Sequence, residues 1–147
     1  MALPQPSVPF RVYYEHRPNY LFVYMGSDLF NYDNAKQFWQ EILPVIHHRR
    51  YRKVMIERDI PESPSPAEMF TLARELSHSG CINVRFAIVD GHCSEEAMRF
   101  EETVNTNRGL HLRTMRTFGE AEEWLAIDHI DRSPASMAVH ESVSKSV

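Results

Sequence analysis

Cysteine is scarce in this chain: two residues in 147, too few for a disulfide framework. No apolar run approaches the roughly 20 residues that a membrane-spanning helix needs. The opening MALPQPSVP has neither a basic start nor a continuous apolar stretch, so it does not read as a signal peptide. Together these absences point to a reducing, cytoplasmic setting. Basic excess is missing as well. The formal charge of -4 argues against a nucleic-acid binder, whose surface is normally basic. No internal repeat and no glycine-rich phosphate loop are visible.

What is present suits one compact domain, since 43% of the residues are hydrophobic. Charge is unevenly spread. Through Arg58 there are 8 Lys and Arg against 5 Asp and Glu, and from Asp59 to Asp131 there are 6 against 14. One part of the surface is therefore expected to be basic and another acidic.

Hydrophobic periodicity sets the element order. FRVYYE and YLFVYMG, split by HRPN, read as a β-hairpin over residues 10–26. DNAKQFWQEILPVIHHRR starts at Asp33–Asn34 and carries Phe38, Trp39, Ile42, Leu43 and Ile46 at helical spacing; Pro44 is expected to kink its last turn. KVMIERD (53–59) reads as a strand. A helix from Ser65 to Ser79 buries Met69, Leu72, Ala73 and Leu76 and is stopped by Gly80. NVRFAIVD (83–90) ends almost wholly apolar, as buried parallel strands do. A helix over 94–107 puts Ala97, Phe100 and Val104 on one face; a strand over 111–117 and a helix over 118–128, with Ala121, Trp124 and Leu125 facing the core, complete the order. Alternating helices and strands after a hairpin predict an α/β fold. Its sheet is mixed and mostly parallel, of about five strands, flanked by about four helices. The expected limits are a flexible N-terminus over 1–9, one domain over 10–130 and a flexible serine-rich tail over 131–147.

The strand FAIVD, then Phe100, Glu101 and Val104 leading into Asn107–Gly109, and the closing F..AEEWL resemble the SpoIIAA-like family. These are relatives of STAS domains, often grouped with CRAL-TRIO lipid-binding domains. The matching motifs cover residues 83–125, and the element order extends the likeness back to about residue 10. The resemblance implies a mixed sheet flanked by helices and a non-enzymatic binding or regulatory module. The alternative it carries is a carrier of a small molecule or lipid, with a pocket between helices and sheet. In STAS anti-sigma-factor antagonists a serine at the start of the second helix is phosphorylated to switch partners. The DSSG-like signature around that serine is absent here, and DIPESPSPAE stands in its place. Ser63 and Ser65 are thus positional candidates for a switch.

The residues themselves favour plainer roles. Ser65-Pro66-Ala67-Glu68 is a helix start, with serine as cap, proline at the first helical position and glutamate at the third. Asp59 and Asp90 close two strands at the sheet end where α/β proteins bind ligands. As a pair they could hold a metal or shuttle protons, but each also suits a turn. His78, Cys81, His92 and Cys93 bracket the strand 83–90, whose extended length of roughly 26 Å keeps them from meeting on one zinc ion. No metal and no cofactor are expected. HHRRYRK (47–53) is the densest basic run, and Arg49 and Arg50 there, like Arg108, are candidate contacts for an anion or a partner. Each also sits where a cation complements a helix C-terminus. The partner classes left open are a protein, a small apolar or anionic ligand, and a second copy of the chain.

The tail offers no periodic apolar positions to offset its ordering entropy. A chain ending at Asp131 is therefore expected to keep its thermal midpoint. A fall of more than about 5 °C, about 1 kcal/mol for a domain of this size, would show that the tail docks.

Overall fold

Two aromatic, β-branched segments pair because the turn between them closes tightly: the Arg17 amide donates to the Tyr20 carbonyl at 3.1 Å. The computed structural model describes residues 9–127, so the expected tail and nearly all of the expected N-terminal segment lie outside the described residues. Strands β1 (Phe10–His16) and β2 (Leu21–Ser27) form the hairpin. They are followed by α1 (Tyr32–Arg49), β3 (Lys53–Asp59), α2 (Pro66–Ser77), β4 (Arg85–Val89), α3 (Glu95–Asn107), β5 (His111–Met115) and α4 (Phe118–Leu125). Strand order is β1-β2-β3-β4-β5, with β1 antiparallel to β2 and every other pair parallel. The expected architecture, a mostly parallel five-stranded sheet with four helices, is the observed one.

Alternation along each strand divides the core in two. Leu21, Val23, Val54, Ile56, Phe86, Ile88 and Leu112 face α1 and α2, where Phe38, Ile42, Ile46 and Leu76 meet them. On the reverse face Phe22, Met55, Ala87, Val89 and Met115 meet Ala121 and Leu125 of α4. One eight-residue helix cannot cover that whole face. Tyr13 and Phe118 consequently stay exposed at its β1 side.

Helix ends follow local chemistry. Asn31 caps α1, its side chain accepting from the Asn34 amide, so the helix starts a little before the expected Asp33–Asn34. α1 runs on through Pro44 to Arg49. The carbonyl that Pro44 cannot engage belongs to Gln40, which is exposed, so water can satisfy it. Ser65 caps α2 and Thr117 caps α4, each in a reciprocal capping box with a glutamate three residues on. Gly80 and Gly109, at φ 83° and 81°, take the left-handed conformation after α2 and α3.

Phe100 and Trp124 are placed differently from expectation, and Leu72 and Ala97 are only partly buried. Phe100 is exposed, and the inward stripe of α3 is Glu101, Val104 and Asn105. The helix is rotated about one residue from the apolar reading because Glu101 finds a buried cation. Trp124 is only partly buried; its ring lies 5.5 Å from the Arg85 guanidinium and 5.9 Å from that of Arg113. Phe38, by contrast, is 2% exposed in the main core. Phe38→Ala is accordingly expected to cost about 3–5 kcal/mol, and Trp124→Ala about half that or less, since its environment already includes solvent. Urea titrations of both variants check the order, and a Trp124→Ala loss equal to that of Phe38→Ala would contradict it.

Candidate functional site

β3 places Val54, Ile56 and Arg58 on one face, so strand alternation itself carries Arg58 onto the apolar side. A lone guanidinium there would be costly, and three neighbouring elements supply its partners. Arg58 Nε donates to Asp90 Oδ2, just past β4, at 2.7 Å. Its two terminal nitrogens donate to Glu101 of α3 at 2.8 and 3.0 Å, a bidentate fork. Thr114 of β5 donates its hydroxyl to Glu101 at 2.7 Å. Asp90 also accepts the His92 and Cys93 amides at 2.7 and 3.1 Å, which forms the expected turn. Side-chain exposure is 15% for Arg58, 4% for Asp90 and 11% for Glu101.

Burial and pairing oppose each other in this cluster. Burial alone would push both carboxyls up, but the Arg58 charge and its hydrogen bonds outweigh it, and Asp90 and Glu101 are held below the ordinary carboxylate range. Burial would likewise lower Arg58, and Glu101 and Asp90 reverse that, so the guanidinium is held above its usual value.

Asp59 is the neighbour of Arg58 and so points to the other face. Tyr24 donates to Asp59 Oδ2 and His92 Nε2 donates to Oδ1, both at 2.9 Å. Those bonds, that from His92 first, hold the Asp59 carboxyl below its usual range. Gly26 makes room for this, since a Cβ there would fall 2.3 Å from the Tyr24 hydroxyl. The pairing of Asp59 with Asp90 considered from sequence is therefore corrected. They close adjacent strands, but the pleat turns them to opposite faces, and each is claimed by its own donors. His92 links the two through its backbone and its ring.

Above Arg58 lies an apolar cavity of about 70 Å³ between the sheet, α1 and α2, lined by Met25, Phe30, Ile60, Pro64 and Met69, with Arg58 and Glu101 in its wall. Its rim is the junction before α2. The Phe30 amide donates to Glu62 at 3.0 Å, tying that junction to the loop after β2. Ser63 and Ser65 are exposed on it; Ser65 Oγ accepts the Glu68 amide at 3.2 Å and Glu68 accepts the Ser65 amide at 2.9 Å.

The remaining sequence candidates lie elsewhere. Arg49 ends α1 and Arg50 is its left-handed cap at φ 56°, both exposed. They precede β3 whereas the junction follows it, so the seven-residue strand puts roughly 20 Å between them. Arg108 caps α3 and stacks over Phe70 of α2, 4.7 Å from the ring centre. Cys81 and Cys93 lie before and after β4, both buried as free thiols. Among the described residues no helix is long and apolar enough to cross a membrane.

Arg58 and Glu101 escaped assignment as a pair from the sequence, although a signal existed: each is a charge at a core-facing position of its element. The geometry defines a five-stranded α/β module with a buried ion cluster and a serine-bearing junction at the carboxyl end of its parallel strands. No family model matches the chain, and no curated protein matches it. Among solved structures, that of the protein TM1081, determined by NMR, superposes with a TM-score of 0.48 at 20% identity, over 85% of this chain and 93% of that one. An uncharacterised DUF3478-family protein from Shewanella loihica PV-4, described as having a SpoIIAA-like fold, superposes with a TM-score of 0.45 at 10% identity, over 85% of this chain and 100% of that one. Both are likenesses; the fold stated above rests on this chain's own strand order and register.

Arg58→Met would leave two buried carboxylates unpaired and is expected to cost about 3–5 kcal/mol at neutral pH. The pH dependence has a definite sign. In the native protein Asp90 and Glu101 are depressed, so their contribution is present above their ordinary values of 3.8 and 4.5 and fades as pH falls through the lower folded values. In the variant burial raises both carboxyls, so acid relieves it. The stability gap should therefore narrow from pH 7 towards pH 4 in urea titrations. A constant gap would mean that Arg58 does not hold ionised carboxylates.

Proposed function

We propose that this chain is a cytoplasmic, non-enzymatic binding or regulatory module that meets a protein partner with the junction between β3 and α2. The observation that carries this reading is the pairing of an exposed, serine-bearing segment with a rigid base. Ser63 and Ser65 stand clear of the core, while the strand ends beneath them are locked by Arg58, Asp90 and Glu101. A surface held this way changes its charge without changing its shape. A phosphate on Ser63 or Ser65 would add about 1.5 to 2 negative charges at the start of α2, where the helix amides favour an anion.

The cavity favours a second reading, a carrier for a small apolar ligand. Its volume of about 70 Å³ lies well below the roughly 300 Å³ at which drug-sized pockets begin. An acyl chain would need α1 and α2 to part, so the carrier reading ranks behind partner binding. Arg49, Arg50 and Arg108 offer cations for an anionic ligand, but at separate places on the surface.

Stability and binding should separate at Ser65. Ser65→Ala is expected to lose about 1 kcal/mol of stability, and Ser65→Asp to lose little, because aspartate caps as well as serine. Proteins captured from the source cell by wild type, Ser63→Asp and Ser65→Asp should differ between the forms. Identical partner sets, with no added phosphate in the intact mass of the native protein, would end the switch reading and leave Ser65 as a cap.

A further inference from the structure

Among the described residues β1 is an outer strand of the sheet, and the charges it carries, Arg11 and Glu15, are of opposite sign. All seven of its residues pair with β2 in unbroken register, without a bulge, and FRVYYEH contains no proline and no lysine. Tyr13 is 51% and Tyr14 41% exposed. The direction of its backbone groups follows from the hairpin. Arg17 and Tyr20 form a hydrogen-bonded pair, and in an antiparallel ladder such pairs alternate with unbonded ones. Odd-numbered residues of β1 therefore bond to β2, and the amides and carbonyls of Phe10, Val12, Tyr14 and His16 point away from it.

We propose that β1 pairs antiparallel with β1 of a second copy about a two-fold axis at Tyr13, joining the two sheets into one of ten strands. The sequence of the strand is complementary to itself in this register. With Tyr13 opposite Tyr13, Val12 faces Tyr14 and Phe10 faces His16, all even-numbered residues whose backbone groups point outward. The ladder is thus satisfied without a slip. Arg11 then stands opposite Glu15 of the second copy, and Glu15 opposite its Arg11, in the unbonded pairs where side chains approach most closely. All three odd residues lie on the face that α4 leaves open, where Tyr13 already stacks on Tyr24 with ring centres 5.5 Å apart. The two-fold axis brings the exposed Tyr13 rings together. The charges are in place beforehand: Arg17 holds Glu15 at 3.0 Å, and Arg11 lies beside the Tyr24 hydroxyl.

The opposite edge lacks this complementarity. β5 (HLRTM) in full overlap with itself would set Arg113 against Arg113, and α3 reaches over it with a Glu102–Arg113 ion pair at 3.5 Å. Like charges directly opposed weaken a strand pair. Association through β1 alone closes at two copies.

Sedimentation velocity across a dilution series tests this, with Arg11→Glu and Glu15→Arg as the informative variants. Wild type should dimerise reversibly. Each variant alone sets like charges opposite one another twice, and its dimer should weaken by about tenfold or more. In an equimolar mixture, a strand with acidic side chains at both positions meets one with basic side chains at both. Each cross-strand pair is then again of opposite charge, so a heterodimer of wild-type strength should form, with the difference shrinking at high salt. Recovery on mixing cannot come from repair of a misfolded chain. A wild type that stays monomeric at every concentration, whether the edge then serves an extended peptide or none, overturns the proposal. So do single variants that dimerise like wild type, or a mixture that does not associate.

Discussion

The guanidinium of Arg58 is the point on which the carboxyl end of the sheet depends. It arrives on the apolar face because strands alternate, and once there it must be neutralised. Glu101 and Asp90 do this, and through them β3 is tied to the turn after β4 and to α3. Thr114 extends the tie to β5. Four elements are thereby registered by hydrogen bonds of fixed geometry rather than by apolar packing, which tolerates sliding. Replacing such a cluster by apolar residues can leave stability unchanged. Its distinctive contribution is to hold the strand ends in one arrangement.

That arrangement bears on the proposed partner contact. Ile60, Glu62 and Pro64 of the junction line the same cavity as Arg58 and Glu101, and the Phe30–Glu62 bond ties the junction to the loop after β2. The Ser65–Glu68 capping box closes the junction's far end, while Ser63 and Ser65 stay exposed. A partner that reads this surface reads charge and side-chain identity on a fixed frame.

The two faces of the sheet are unequal for a topological reason. Strands laid down in sequential order by crossovers of one hand put their helices on one side, and α1 and α2 accordingly pack on the face that carries Leu21, Val54 and Phe86. Among the described residues the reverse face has only α4, which reaches β3, β4 and β5 and meets β2 through Phe118 against Phe22, leaving β1 uncovered. Tyr13, Tyr24, Asp59 and His92 are gathered there. The open face and the bare edge of β1 are thus consequences of strand order.

Local patterns determined much of this protein in the sequence itself. The Ser65–Glu68 capping box, the left-handed glycines 80 and 109, the strand at 53–59 and the hairpin are all set by neighbours a few residues apart, and each could be read directly. So could the order of elements, because parallel pairing requires a helix between strands. Tertiary structure alone decided which charges are buried together. Arg58 is separated from Asp90 and Glu101 by 32 and 43 positions along the chain, and nothing local distinguishes them from solvent-facing charges except their place on an inward stripe. It also decided the rotation of α3 that exposes Phe100, and the turning of Asp59 away from Asp90. A strand's pleat and a helix's roll are fixed by what packs against them, and those partners come from elsewhere in the chain.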